Sequence, residues 1–492
     1  MANLERSPYR PEIKEIQEEC AVVGAYSTIS KPVAAIVLEG LIELNHRGQE
    51  SAGIVVAGKN GFQVVKDAGL AEIVFKIKHD LPDAPDASVA IGHDRYSTSG
   101  GKKDMQPFSD GNIAFAHNGN LTNIRQLKDR FNLPDEIDGA KSDSRMALAV
   151  INSMQGTEKE RILQALPLFK GSYCFVFGTK DALYASRDPK GFKPLVIGKI
   201  RDDGYVVASE TAALRSMGAN FLREVKAGET IQIDKDGLKT IALTSENEKL
   251  SKCIFELIYF SRPDSVVFGI PVMEFRRKQG GILARHLPDV DVISSVPRSG
   301  DGATLGVAAS EIVKISEKTL VSAFYPNPYR NIAKSGPRTF ILPGGRDKAA
   351  TQKYSVMESS VKGKRIALVD DSIVRGSMKR IVQILRFHGA SEVHALIASP
   401  PLMHSCYFGA DFSDEELLAH EIPDIEERRE YLGLDSLYHL SYAELLEAAI
   451  GNPVENVAEV FGENGFCGAC FTGKYPTLTG GEISKKETVL IG

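Results

Sequence analysis

The sequence predicts two domains in series: an α+β domain of antiparallel sheets, then an α/β domain with a parallel sheet. Three observations carry that expectation. The 492 residues exceed what one hydrophobic core organises, which is about 250–300 residues. Up to about Leu250, short apolar runs follow one another, and two of them fold back at Asn60-Gly61 and Asp236-Gly237, dipeptides that favour two-residue hairpins. Beyond Leu250, apolar runs alternate with helical patterns, as βαβ units do.

Met1–Glu19 carries two prolines and many charges and reads as poorly ordered. Strand character begins abruptly at Cys20, in CAVVGAY. Lys31–His46 places Val33, Ile36, Val37, Leu41 and Leu44 at helical spacing. Gly53–Val65 and Thr230–Leu243 are the two hairpins. Further strands are expected around Val89–Ile91, Ile113–Ala116, Tyr173–Gly178, Leu183–Ser186, Leu195–Ile197 and Tyr205–Ala208, with helices near Asp143–Met154 and Glu158–Leu166. In the second half, Pro271–His286 reads as helix and Asp291–Val296 as strand. A Pro-Arg-Ser-Gly loop follows, then a helix from about Ala303. Leu320–Phe324, Arg365–Val369 and Val393–Ala398 are the remaining strands. Ligands of such sheets bind at the carboxyl ends of the strands. Lys334–Ser355 is rich in Gly, Lys and Arg without a period and reads as a mobile lid. From Glu421 two charged helices are expected, then a Gly-rich end containing Cys467-Gly-Ala-Cys470.

Composition excludes several classes. Hydrophobic residues make up 43% and charged residues 25%, within the ordinary globular range. The net charge of −5 and the lack of a basic block argue against nucleic acid as a partner. No apolar run approaches the ~18–20 residues of a membrane span. The first 19 residues have no apolar core and are not a secretory signal. Six cysteines are too sparse for a disulfide scaffold. A cytoplasmic enzyme is the expectation.

Three stretches carry chemistry. In RIALVDDSIVRGSMKRIVQ (Arg365–Gln383), an apolar strand ends in Asp370 and Asp371, and a tight loop, Ser372–Ser377, opens an amphipathic helix. Free N–H groups at a helix start cradle phosphate, and adjacent carboxylates hold sugar hydroxyls and Mg2+. The plainer alternative is a strand–loop–helix unit with acidic caps. Cys20 is a nucleophile only as thiolate. If Met1–Glu19 were removed as a propeptide, the α-amine, with a pKa of about 7.7–8.0, would serve as base; the alternative is a buried strand cysteine. Cys253, Cys406, Cys467 and Cys470 stand apart from Cys174, which lies in an apolar run and reads as core. Cys-x-x-Cys fits a metal site, a redox pair or unrelated buried thiols.

Several ordered motifs resemble the glutamine-hydrolysing domain of amidotransferases with an N-terminal cysteine nucleophile. They are NHRGQESAGI (Asn45–Ile54), GHDRYSTSG (Gly92–Gly100), FAHNGNLTN (Phe115–Asn123) and KSDSR (Lys141–Arg145). The resemblance implies a layered αββα domain over residues 20–251, behind a propeptide of residues 1–19. It implies that Cys20 attacks, that Asn118 and Gly119 form the oxyanion hole, that Arg95 grips the glutamine carboxylate and that Asp143 accepts its ammonium. Read singly, Arg95 also suits a surface position, Asn118-Gly119 a turn, and Asp143 a helix N-cap. Asp94 stands where that family is often apolar.

Val369–Ser377, with CIFELIYFSRPDS (Cys253–Ser265) and SRDPKGFKPL (Ser186–Leu195), extends the likeness to the amidophosphoribosyltransferase family, in its iron–sulfur subgroup. This implies a phosphoribosyltransferase domain over residues 252–450 and a cluster-bearing tail over residues 451–492. The implied reaction converts glutamine and phosphoribosyl pyrophosphate to phosphoribosylamine, the first step of purine biosynthesis. Asp370 and Asp371 would hold ribose and Mg2+. Ser372, Arg375, Gly376 and Ser377 would hold the 5-phosphate, and Arg298, Ser299 and Gly300 the pyrophosphate. Cys253, Cys406, Cys467 and Cys470 would hold a [4Fe–4S] cluster. A homotetramer and purine nucleotide effectors are implied as well. Two positions depart from the family pattern: Arg298 replaces an acidic residue, and Met378 replaces a second hydroxyl. They motivate the alternative of a diverged paralogue that senses nucleotides. A sugar-isomerising amidotransferase is the other rival, and the phosphoribosyl loop argues against it.

Overall fold

The structure is a computed structural model. It describes residues 20–28, 32–58, 61–82, 84, 86–95, 102–201, 203–244, 248–314, 319–326, 354–454 and 465–477. The expected propeptide, Tyr96–Gly100, and all but the last two residues of the expected lid lie outside them.

The first domain stacks two antiparallel sheets between helices, as the α+β reading expects. Its first sheet has seven strands: β1 (Ala21–Ser27), β2 (Ser51–Gly58), β3 (Gly61–Ala68), β4 (Val89–Arg95), β9 (Val196–Ile200), β10 (Gly204–Ala208) and β11 (Asn220–Glu224), in the order β11-β9-β10-β1-β4-β2-β3. The second holds β5 (Phe108–Asp110), β6 (Ile113–Leu121), β7 (Gly171–Gly178), β8 (Leu183–Arg187), β12 (Glu229–Asp234) and β13 (Gly237–Leu243). Alternation along each strand sorts side chains into three layers. Ala21, Val23, Ala25, Ile54 and Val56 face helix α1 (Val33–Leu44). Val22, Tyr26, Val55 and Ile91 meet Ala114, Ala116, Cys174 and Val176 between the sheets. Phe115, Phe175 and Phe177 pack outward onto Met146, Ile151 and Ile162 of the opposite helices. Each fully buried aliphatic or aromatic side chain contributes about 1.5–3 kcal/mol, so the order αββα follows from where the apolar residues alternate.

The second domain is a parallel sheet of five strands: β15 (Val292–Ser295), β16 (Thr319–Leu320), β17 (Arg365–Asp370), β18 (Glu392–Ile397) and β19 (Ser436–His439), in the order β16-β15-β17-β18-β19. Ile366–Val369, and Val393 and Ala395–Ile397, are apolar and buried because helices cover both faces. The chain reverses direction of winding between β15 and β17, and such switch points open a crevice at the carboxyl ends of the strands. Two details differ from expectation. The Leu320–Phe324 run splits: Thr319–Leu320 joins the sheet, and Phe324–Pro326 pairs instead with Tyr354–Val356. Ser436–His439 sits as an edge strand between the expected charged helices, Ile425–Leu432 and Tyr442–Ile450, where its brevity hid it from a period count. The domain junction is sewn by a parallel pair, β14 (Lys252–Cys253) with β20 (Phe466–Cys467).

Candidate active site

Strand register positions the first group of candidate residues. Ala21 pairs with Asp94, so one step further along lie Cys20 and Arg95. Cys20 is half-buried, whereas Arg95 is buried and is no surface arginine. Asn118 lies within β6 opposite Cys174, so it is strand and not turn, and its side chain shares the inter-sheet face with Ala114 and Ala116. Asn118 is 1% exposed, and its Nδ2 has no hydrogen-bond partner among the described residues. A buried donor left so costs about 1–3 kcal/mol, a cost that an incoming oxyanion would relieve. Gly119 has φ 144°, and a Cβ there would lie 2.1 Å from the Ser172 carbonyl, so only glycine fits. The N-cap of helix Asp143–Asn152 is Ser142, whose hydroxyl accepts from the Arg145 N–H. Asp143 is thereby released from capping: its Oδ2 accepts from Leu121 N at 3.0 Å and its Oδ1 from the Ser144 hydroxyl at 3.1 Å.

No charged histidine base presents itself on the inter-sheet face. His93 lends Nε2 to the His117 carbonyl at 3.1 Å, and burial lowers its pKa to about 3. His117 pairs with Asp143 at 3.6 Å, but on the outer face of β6, stacked with Phe115 and edge-on to Phe175.

Beneath the nucleophile lies a feature the sequence reading did not single out. Arg47 is 1% exposed, and its Nε donates to the Cys20 carbonyl at 3.4 Å. Its Nη1 reaches Glu210 at 2.7 Å, and its Nη2 reaches Glu256, at the start of the second domain, at 2.8 Å. Burial alone would lower its pKa, but Glu256 and Glu210 outweigh that and hold it raised. Glu210 also accepts from Arg262 N and the Ser265 hydroxyl, and Glu256 from the Ser261 hydroxyl. Arg47 stands inside a quoted motif, yet its two carboxylate partners are remote in sequence, so nothing local signalled the network.

The second site sits at the switch point. Ser299 follows β15 and donates to Asp370 Oδ1 at 2.6 Å, while Asp371 N donates to the same oxygen at 2.9 Å. Ser372 donates to Asp371 Oδ1 at 2.9 Å. Gly376, with φ 86°, is the N-cap of helix Ser377–Phe387. Thus Ser299, Gly300, Asp370, Asp371, Ser372, Gly376 and Ser377 come together. Arg375 is turned to other work, with Nη2 on Glu416 at 2.8 Å and on the Asp411 carbonyl at 3.3 Å. Met378 is 2% exposed and packs with Ile381, Val382 and Leu385. A hydroxyl at 378 would face that core, which is the physical reason methionine is accommodated there. No group of three or more His, Cys, Asp or Glu side chains is gathered to hold a metal ion among the described residues. Two carboxylates plus substrate oxygens are nevertheless a usual Mg2+ donor set, and Asp370 with Asp371 fits it.

The four cysteines come from three segments and form no disulfide. Cys253 pairs in register with Cys467. The Cys470 carbonyl accepts from Met403 N at 2.9 Å and His404 N at 3.0 Å, next to Cys406. Burial pushes the Cys470 thiol well up, and Cys406, Cys253 and Cys467 push it further. Four cysteines are the kind of all-sulfur donor set that an iron–sulfur cluster takes, and among the described residues they do not stand gathered as a metal-holding group. Cys174 is fully buried between the sheets, as core.

Two antiparallel sheets layered between helices make the first domain a glutamine amidotransferase domain, here followed by a parallel-sheet domain. Residues 93–216 match the family described as Glutamine amidotransferase domain. Over 94% of its length the chain is 41% identical to Amidophosphoribosyltransferase 2, chloroplastic, of Arabidopsis thaliana, and it covers 80% of that relative. It is 39% identical to the amidophosphoribosyltransferase of Bacillus subtilis, with 95% and 96% of the two chains covered. The solved B. subtilis glutamine phosphoribosylpyrophosphate amidotransferase, complexed with ADP and GMP, superposes with a TM-score of 0.81 at 38% identity, covering 93% of this chain and 97% of that one. The chain belongs to the amidophosphoribosyltransferase family, enzymes that carry out the first step of purine biosynthesis. These relatives are named as the enzyme and match along nearly the whole chain, which gives the nucleotide-sensing alternative no support. No helix among the described residues is long and apolar enough to cross a membrane.

Proposed function

We propose that glutamine is hydrolysed at Cys20 and that the ammonia reaches phosphoribosyl pyrophosphate at the Asp370–Ser377 loop. The observation that carries this reading is the buried, unpaired amide of Asn118 on the same inter-sheet face as the nucleophile strand. Loss of Met1–Glu19 frees the Cys20 α-amine as base. Cys20 Sγ attacks the glutamine amide carbon. Asn118 Nδ2 and Gly119 N–H receive the oxyanion, a stabilisation of about 2.7–4 kcal/mol per donor. Arg95 fixes the substrate carboxylate and Asp143 its ammonium. Released as NH3 and shielded from water, ammonia attacks the anomeric carbon as pyrophosphate leaves. Asp370 and Asp371 orient the ribose hydroxyls, and Ser372, Gly376 and Ser377 hold the 5-phosphate. Ser299, Gly300 and the cation of Arg298 face the leaving pyrophosphate, and Arg375 steadies the loop through Glu416. Mg2+, when bound by Asp370 and Asp371, neutralises pyrophosphate charge.

Cys253, Cys406, Cys467 and Cys470 hold a [4Fe–4S] cluster in this reading, a staple between the domain junction and the tail. Purine nucleotides act as effectors, an inference resting on the B. subtilis relative complexed with ADP and GMP. A cytoplasmic homotetramer completes the reading. Cys20→Ala abolishes glutamine-dependent pyrophosphate release and leaves the ammonia-dependent reaction intact; loss of both would remove Cys20 from the glutamine step. Mass spectrometry of active protein should give Cys20 as first residue, and an intact leader would exclude the α-amine base. Anaerobically purified protein should contain iron, whereas zinc without iron would refute the cluster.

A further inference from the structure

One of the contacts from the other domain reaches the end of β6 beside Gly119. After β18 the chain runs through Cys406–Gly409 as a strap laid across the end of β6. Asn120, next to the oxyanion pair, donates its Nδ2 to the Tyr407 carbonyl at 2.9 Å. A Cβ built on Gly409 would lie 3.5 Å from Gly119 Cα and 3.2 Å from Lys193 Cε, so the strap passes close beside Gly119. The strap is itself held on both sides. Phe408 stacks on Phe192 with ring centroids 4.3 Å apart. Tyr475 donates to the Ser405 carbonyl at 2.7 Å, and Phe408 N to Cys406 Sγ at 3.4 Å. Phe192 is fixed in turn, its N–H donating to the buried Asp188 carboxylate at 3.2 Å.

We propose that Asn120 is a positioning residue: by holding the Tyr407 carbonyl it presses the strap onto Gly119 and aims the oxyanion donors. Glutamine hydrolysis therefore depends on a contact supplied by the acceptor domain. This rests on the oxyanion reading of Asn118 and Gly119. A group that aims donors at the developing oxyanion acts on the transition state more than on bound glutamine.

Asn120→Ala in the full chain should lower kcat for glutamine about tenfold, the equivalent of one neutral hydrogen bond. KM for glutamine should stay within about twofold, because Arg95 and Asp143 are untouched. Ammonia-dependent pyrophosphate release should be unchanged. The γ-aldehyde analogue of glutamine adds reversibly to the Cys20 thiolate and sets an alkoxide in the hole. Its affinity should fall in step with kcat, while that of glutamate should not. Asn120→Asp, equal in shape but lacking the donor, should behave alike, and an unchanged unfolding midpoint shows that either variant is folded. A raised KM at constant kcat, or a parallel fall of the glutamine and ammonia activities, overturns the proposal. Asn118→Ala separates the two readings. If it too leaves kcat intact, the oxyanion assignment fails; if it lowers kcat while Asn120→Ala does not, only the positioning role fails.

Discussion

Asp94 is fully buried on β4, and neither carboxyl oxygen has a hydrogen-bond partner among the described residues. Burial pushes its pKa well above the ordinary value, which favours the uncharged carboxyl, a compact side chain closer to an apolar one. That accounts for an acid where an apolar residue would serve. The sign of its linkage is fixed. The folded pKa exceeds the unfolded value of about 3.9, so stability falls as pH rises from there toward the folded pKa. Asp94→Val should therefore raise the unfolding midpoint at pH 8, by about 1–3 kcal/mol, and flatten the pH dependence measured from pH 4 to 8. Met378 is the opposite case. Met378→Thr places a hydroxyl in a packed helix face and should cost about 1–3 kcal/mol in denaturant titration, with no gain in affinity for the phosphoribosyl substrate.

Among elements, the buried Arg47 fork ties three of them: the turn after α1, the start of the helix at Thr211, and the turn opening the second domain. Removing one partner of such a network strands the others. Arg47→Met should cost about 3–5 kcal/mol, read as a lowered denaturant midpoint. Burial opposes the charge on Glu210, but His46 and Arg47 outweigh it and hold its pKa well below the usual carboxylate range. Its contribution is thus present above the unfolded pKa of about 4.3 and is lost as pH falls through the folded value. What the sequence made legible divides along the same line. Hairpins declared themselves through Asn60-Gly61 and Asp236-Gly237, because turn chemistry is local. The expected strand Ile113–Ala116 stopped short of Asn118, and its face came only with the register against Cys174. Arg47, Asn120 and the edge strand Ser436–His439 were not legible, since their partners lie far away in sequence or their runs are too short for a period. The rotation of Met378 into the core needed the helix start to be known.

At the scale of the molecule, the contacts between the two domains include the Arg47–Glu256 pair, the Arg262–Glu43 pair, the Asn120–Tyr407 hydrogen bond and the stack of Phe192 on Phe408. Two domains with largely separate cores are expected to lose function in stages on heating. Glutamine-dependent turnover should fail at a lower temperature than ammonia-dependent turnover, since only the former needs both domains in register. Parallel activity and calorimetry scans would decide it, and coincident losses would show that the junction melts together with the cores.

The parallel pairing of Cys253 with Cys467 also dictates an order of assembly during synthesis. The two strands leave the ribosome on the order of 10–40 s apart at about 5–20 residues per second. For that interval a finished first domain stands beside an unpaired strand edge and thiols that have not met. A message truncated anywhere before Gly465 would leave that edge permanently open, so partial chains should be cleared or aggregate even when the glutamine domain has already folded.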